Sequence, residues 1–188
     1  QAIPSKFIGI LTIEEWGRTV TIFSSLFSAL LLYLIVRKHL NGKVGLLTAF
    51  FFTFIPFNIY YGRTTLPDTS TVTAFLATIY FFDKWIEKES SKLNFSISLF
   101  FATVAILLKP FSVFFFLPMA YLVYAKHGWD FIKNKWLWVF AILSLTPFIF
   151  WRIWMLQFPG GIPQSGWLLN GNNIRFKGAF FQWIFAER

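Results

Sequence analysis

LNFSISLFFATVAILLKPFSVFFFLPMAYLVYA, residues 93–125, is the stretch on which the architecture turns. Its 33 residues contain a single charge, Lys109, followed at once by Pro110. As one helix it would run about 50 Å at about 1.5 Å per residue, too long for a hydrocarbon core of about 30 Å. The flanking lysines resolve this. Lys92 and Lys126 each belong to a basic loop, and basic loops stay on the cytoplasmic side of a membrane. A chain that leaves and returns to one side crosses twice, so Lys109-Pro110 becomes the turn of a helical hairpin. Residues 44–82 read the same way between Lys43 and Lys84, with residues 63–68 at their turn.

Composition agrees with a chain made for lipid. Hydrophobic residues make up 56% of the 188 positions and charged residues 13%, against about 45–50% and about 25% in globular chains. Phe alone occupies 27 positions, beside nine Trp and six Tyr. So much apolar surface does not fit around one core under a polar shell, which excludes a water-soluble enzyme. Cysteine is absent, which removes disulfides, thiolate nucleophiles and Cys-built zinc sites. The net charge of +9 sits between apolar runs, where lipid headgroups and membrane orientation account for it and nucleic acid does not.

The fold class expected is all-α, a polytopic membrane bundle. Its six segments are residues 19–36, 44–62, 69–82, 93–108, 110–125 and 136–151. Nine of the 17 basic residues fall in three inner loops: Arg37, Lys38 and Lys43; Lys84, Lys88 and Lys92; Lys126, Lys133 and Lys135. The two opposite turns hold Arg63 and Lys109. The whole of residues 1–188 reads as part of one transmembrane domain. Residues 1–18 end an outer loop, 19–156 hold the six segments, and 157–188 form an outer interfacial loop. Gln1 carries no signal peptide and residues 185–188 have no tail composition, so the chain is expected to be an internal piece of a longer membrane protein.

Charges at membrane depth are costly and therefore candidate functional residues. Tyr60-Tyr61-Gly62-Arg63-Thr64-Thr65-Leu66-Pro67-Asp68 joins two segments. Arg63 and Asp68 either clamp this hairpin by pairing, or leave the planar Arg63 fork to hold an anionic group. Lys109 either snorkels and caps a helix C-terminus, or neutralises a lipid-linked phosphate. Residues 157–188 combine the breaker Pro159-Gly160-Gly161 with basic and aromatic Arg175-Phe176-Lys177, Phe181 and Trp183. That suits an interfacial anchor or a substrate-covering loop. His39 and His127 lie in inner loops without acidic companions at metal-ligand spacing, and no phosphate-binding glycine loop, GxSxG or HExxH occurs.

Together, Glu15-x-x-Arg18 entering a membrane helix, Arg37-Lys38-His39-Leu40-Asn41-Gly42-Lys43 at its inner end, Tyr60-Tyr61-x-Arg63 with Pro67-Asp68, and Leu107-Leu108-Lys109-Pro110 resemble the GT-C membrane glycosyltransferases. Within these the pattern is similar to glycosyltransferase family 39, the group of the protein O-mannosyltransferases and the lipid A aminoarabinose transferase. The resemblance implies transfer of a sugar from a polyprenyl-phosphate donor to a protein, lipid or glycan acceptor on the extracytoplasmic face. The Lys- and Phe-rich composition points to a prokaryotic plasma membrane. The resemblance also implies a catalytic carboxylate in the first outer loop, upstream of Gln1, and so no catalytic residue within the chain. It places Arg63 and Asp68 beside the active-site cavity and Lys109 near the donor phosphate. Leu108 stands where the family commonly has Thr. Glu15 and Arg18 match positions that secure the outer loop. Arg175 and Lys177 lie in a less well matched stretch, and their assignment to the donor phosphate rests on their charge. No cofactor is implied, and metal dependence is left open. A polytopic transporter or flippase is the alternative, although such proteins place charges and broken helices near the midplane, often in repeated halves.

Overall fold

The computed structural model describes residues 12–62, 64–87, 91–158, 173, 176–178 and 181–182. Among them there are helices and turns and no strand. Seven α-helices follow in order: α1 (Ile13–His39), α2 (Gly42–Phe54), α3 (Pro56–Tyr61), α4 (Asp68–Glu87), α5 (Lys92–Leu108), α6 (Phe116–His127) and α7 (Lys135–Met155). Short 3-10 turns, Pro110–Phe115 and Gly128–Lys133, precede α6 and α7. The all-helical expectation holds. Helices α1 and α7 are long and apolar enough to cross a membrane, and α2 and α5 are shorter apolar helices.

The ends of these helices follow from local chemistry. Thr12 and Glu15 form a reciprocal capping box at the start of α1: the Thr12 amide donates to Glu15 Oε2 at 2.7 Å, and Thr12 Oγ1 accepts from the Glu15 amide at 3.3 Å. Arg37, Lys38 and His39 occupy the last turn, where cations meet the negative end of the helix dipole. Asn41 Oδ1 accepts from the Val44 amide at 2.9 Å and starts α2. The run 44–62, read as one segment, divides at Ile55-Pro56. Ile55 is extended (φ −60°, ψ 127°), as the residue before proline must be, and Pro56 opens α3. The run 110–125 likewise begins in a 3-10 turn after Pro110.

Helix α4 is the hub of residues 1–148, one of two compact units; residues 149–188 form the other. It packs against α1, α5 and α6. Against α1 it runs parallel along a polar seam: Ser24 Oγ lies 3.2 Å from Ser70 Oγ, Ser28 Oγ lies 2.8 Å from Thr73 Oγ1, and Thr73 Oγ1 also donates to the Ser24 carbonyl at 2.7 Å. Between lipid-facing helices there is little hydrophobic drive, so such bonds hold helices together, at about 0.6 kcal/mol each on average, together with close packing. Antiparallel α5 meets α4 through Ser98 Oγ, which donates to the Thr78 carbonyl at 3.0 Å. Gly45 provides the close approach of α2 to α1: a Cβ there would stand 3.0 Å from the Tyr33 carbonyl. Phe82, Trp85, Ile86, Ala102, Met119, Val123 and Phe140 form the apolar core.

Candidate functional site at the Asp68 end of the helices

The alternation of helices separates two charged clusters to opposite ends of α4. Asp68 is the first residue of α4, preceded by Pro67, whose carbonyl accepts from the Thr71 amide at 2.9 Å. A carboxylate suits this position because the helix N-terminus is partially positive. Lys109 caps the C-terminus of neighbouring α5. Its amide donates to the Ala105 carbonyl at 3.0 Å and its backbone is extended ahead of Pro110. Ser112 Oγ donates to the same Ala105 carbonyl at 2.9 Å and closes the turn. Because α4 and α5 are antiparallel, these ends coincide, and Lys109 Nζ forms an ion pair with Asp68 Oδ1. Their side chains stay 34% and 39% exposed, so the ammonium keeps donors for a further anionic group. A recess of about 510 Å³ lined by Pro56, Ile59, Tyr60 and Thr64 opens in the preceding segment.

Asp68 reaches Lys109, 41 residues away, and Arg63 lies outside the described residues, as does Arg175. Lys177 is exposed and belongs to the second unit. Glu15 and Arg18 serve helix α1 itself. Glu15 completes the capping box, and Arg18 Nη2 pairs with Glu14 Oε1 at 2.7 Å. Hydrogen bonds from the Thr12 amide and then its hydroxyl hold the Glu15 carboxyl below its ordinary range.

The opposite end holds a cluster that sequence reading passed over. Asp83 Oδ2 accepts from Lys38 at 2.6 Å and lies 2.9 Å from His39 Nε2, while Lys38 also pairs with Glu87 at 2.8 Å. The Asp83 side chain is 9% exposed. His39, read as a loop residue without an acidic companion at metal-ligand spacing, is the last residue of α1, and its neighbour Asp83 comes from 44 residues along the chain. Burial disfavours the Lys38 charge, but its hydrogen bonds to Asp83 and Glu87 outweigh this and raise its pKa. Lys126, at the end of α6, donates to the Ile86 carbonyl and ties a third helix to this end. The usable signal was positional: each partner ends a helix that the basic loops assign to one side.

A family model described as dolichyl-phosphate-mannose-protein mannosyltransferase matches residues 9–154. The chain belongs to this family. It is of the GT-C type, so membrane glycosyltransferase activity follows at the family level. No curated protein and no solved structure matches the chain. The match to the mannosyltransferase family includes both charged clusters and ends before Arg175 and Lys177. Among the described residues no group of three or more His, Asp or Glu is placed to hold a metal ion.

Proposed function

We propose that this chain forms the donor-phosphate side of a transferase that moves a sugar from a polyprenyl phosphate to an acceptor hydroxyl on the extracytoplasmic face. The observation that carries the reading is the ion pair of Lys109 with Asp68, half-exposed at the end of the helices opposite the Lys38–Asp83 cluster. The six apolar runs then cross the membrane, with the basic ends of α1, α4 and α6 inside and the Asp68 end outside, as parts of one transmembrane domain. The site residues are Lys109, Asp68 and Arg63, with Arg175 and Lys177 as further cations for the carrier.

In this transfer the bond between the anomeric carbon and the phosphate oxygen breaks, and its electron pair leaves with the phosphate. The acceptor oxygen bonds to the anomeric carbon and gives up its proton to a carboxylate. Negative charge grows on the leaving phosphate. A preorganised cation in a water-poor site stabilises that charge without transferring a proton. Lys109 supplies this cation, Arg63 adds a bidentate one, and Asp68 fixes the Lys109 ammonium in place. The base that takes the acceptor proton belongs to the family's first outer loop.

Donor binding tests the reading. The full chain in proteoliposomes is expected to retain polyprenyl-phosphate mannose saturably and to release it to excess polyprenyl phosphate, but not to a water-soluble nucleotide sugar. Non-saturable retention, equal to that of protein-free liposomes, would remove the donor site from this chain.

A further inference from the structure

A second site lies away from the Asp68 end. A cavity of about 240 Å³ opens between α4, α6 and α7. Phe82, Met119, Val123 and Phe140 form its buried floor, and Ile132 and Trp138 stand at its mouth, 50% and 58% exposed. Trp138 Nε1 donates to the Ile132 carbonyl at 2.9 Å, which fixes the two mouth residues to each other. A water needs two to four polar partners, and this floor offers only apolar side chains. An empty cavity would forfeit dispersion contacts along its whole lining. The size exceeds the roughly 150 Å³ that accommodates a benzene ring in an apolar protein core.

The rim indicates what fills it. Within ten residues, 126–135, the chain places Lys126, Lys133 and Lys135 against one acid, Asp130. Lys126 is engaged on the Ile86 carbonyl. Lys133 pairs with Asp130 at 2.7 Å, but at 83% exposure its ammonium keeps donors for a further anion, and exposed Lys135 lies close in sequence to the mouth residues Ile132 and Trp138. Exposed Trp129 and Trp136 flank them, in the mixture of indole and ammonium that marks headgroup depth. Basic pockets between membrane helices on the cytoplasmic side hold anionic headgroups.

We infer that this cavity is a binding site for an anionic phospholipid of the inner leaflet, with an acyl chain over Phe82, Met119 and Phe140 and its phosphate at Lys133 and Lys135. The inference rests on the orientation proposed above. It concerns a lipid distinct from the sugar donor, at the other end of the helices.

Native mass spectrometry of the full chain in neutral detergent tests it, with dioleoyl phosphatidylglycerol and dioleoyl phosphatidylcholine as probes. Phosphatidylglycerol is expected to be retained at least about fivefold better. Replacing Lys133 and Lys135 together by Ala should erase that preference, since each lysine near an anionic headgroup is worth about fivefold in affinity. Ala141→Phe, which fills the cavity, should lower retention of both lipids. Equal retention of the two lipids by the unaltered chain would overturn the site. So would undiminished retention by a folded Ala141→Phe variant, or a dimer mass in place of lipid adducts. Lys133 and Lys135 are exposed, so their double variant decides the matter even if Ala141→Phe does not fold. Equal retention of the two lipids by the unaltered chain, or an undiminished preference in the double variant, alongside intact donor binding would refute this site and leave the transferase reading standing.

Discussion

At the residue scale, the ion pair of Lys109 with Asp68 is a clamp between two helices and, in the function proposed above, also a donor contact, and experiment separates the two. As a clamp it links the start of α4 to the end of α5, and a half-exposed pair contributes about 1 kcal/mol or less in that capacity. In the proposed donor contact, Lys109 would make a charge-assisted bond to phosphate worth about 1.5–3 kcal/mol, or roughly 10- to 150-fold in affinity. Lys109→Ala is therefore expected to weaken binding of polyprenyl-phosphate mannose by that factor, while its melting temperature changes little. Asp68→Asn keeps the side chain's shape and removes its charge, so it should cost affinity less, through a less well held ammonium. Donor titration and thermal melting on the same purified variants check both. A lowered melting temperature with unchanged donor affinity in Lys109→Ala would leave the pair as a clamp and nothing more.

At the element scale, the contacts between helices depend on a few polar bonds and one buried carboxylate. Asp83 holds Lys38 and His39 across the ends of α1 and α4. Asp83→Ala leaves Lys38 with Glu87 as its counter-charge. Breaking a fully buried pair costs about 3–5 kcal/mol. With Glu87 remaining and Lys38 partly exposed, a loss of about 2 kcal/mol is expected, measured by denaturant or thermal unfolding. In a double-mutant cycle, Lys38→Ala should abolish most of the Asp83 effect; additive losses would mean the two do not interact. Helix positions were legible in the sequence because Lys, Pro and Gly interrupt its apolar runs. The hairpin turn at Lys109-Pro110 was legible for the same reason. The break at Ile55-Pro56 is hidden by the apolar run that continues through it, although Pro56 marks it. Partners across helices were not legible. Ser24, Ser28, Ser70 and Thr73 look like minor polar interruptions until α1 and α4 lie parallel with an offset of about 45 residues. Only that same offset brings Asp83 to Lys38, and only the antiparallel packing of α4 on α5 brings Lys109 to Asp68.

At the scale of the whole molecule, the buried positions are mostly small or polar on α1, where Gly17, Thr21 and Ser28 face inward, while Ile22, Phe23, Leu26, Phe27 and Leu30 face outward. Such a surface is satisfied in hydrocarbon and not in water. The same arrangement gives the molecule two chemically different ends. The Lys38–Asp83 end gathers the basic loops, and the Asp68 end carries one partly exposed ion pair. A lipid-phosphate sugar transferase working on the extracytoplasmic face requires the Asp68 end to be outside, and the phospholipid site requires the Lys133 end to be inside. Both rest on one orientation. Single-cysteine labelling tests it cleanly because the chain has no native cysteine. Thr65 is exposed in the turn before Asp68, and a side chain at Gly42 would meet nothing within 4 Å. With an impermeant maleimide on intact cells, Thr65→Cys is expected to label fully, and Gly42→Cys to label only after the membrane is opened. Labelling of Gly42→Cys in intact cells with Thr65→Cys protected would place Lys109 on the wrong side of the membrane and contradict the account.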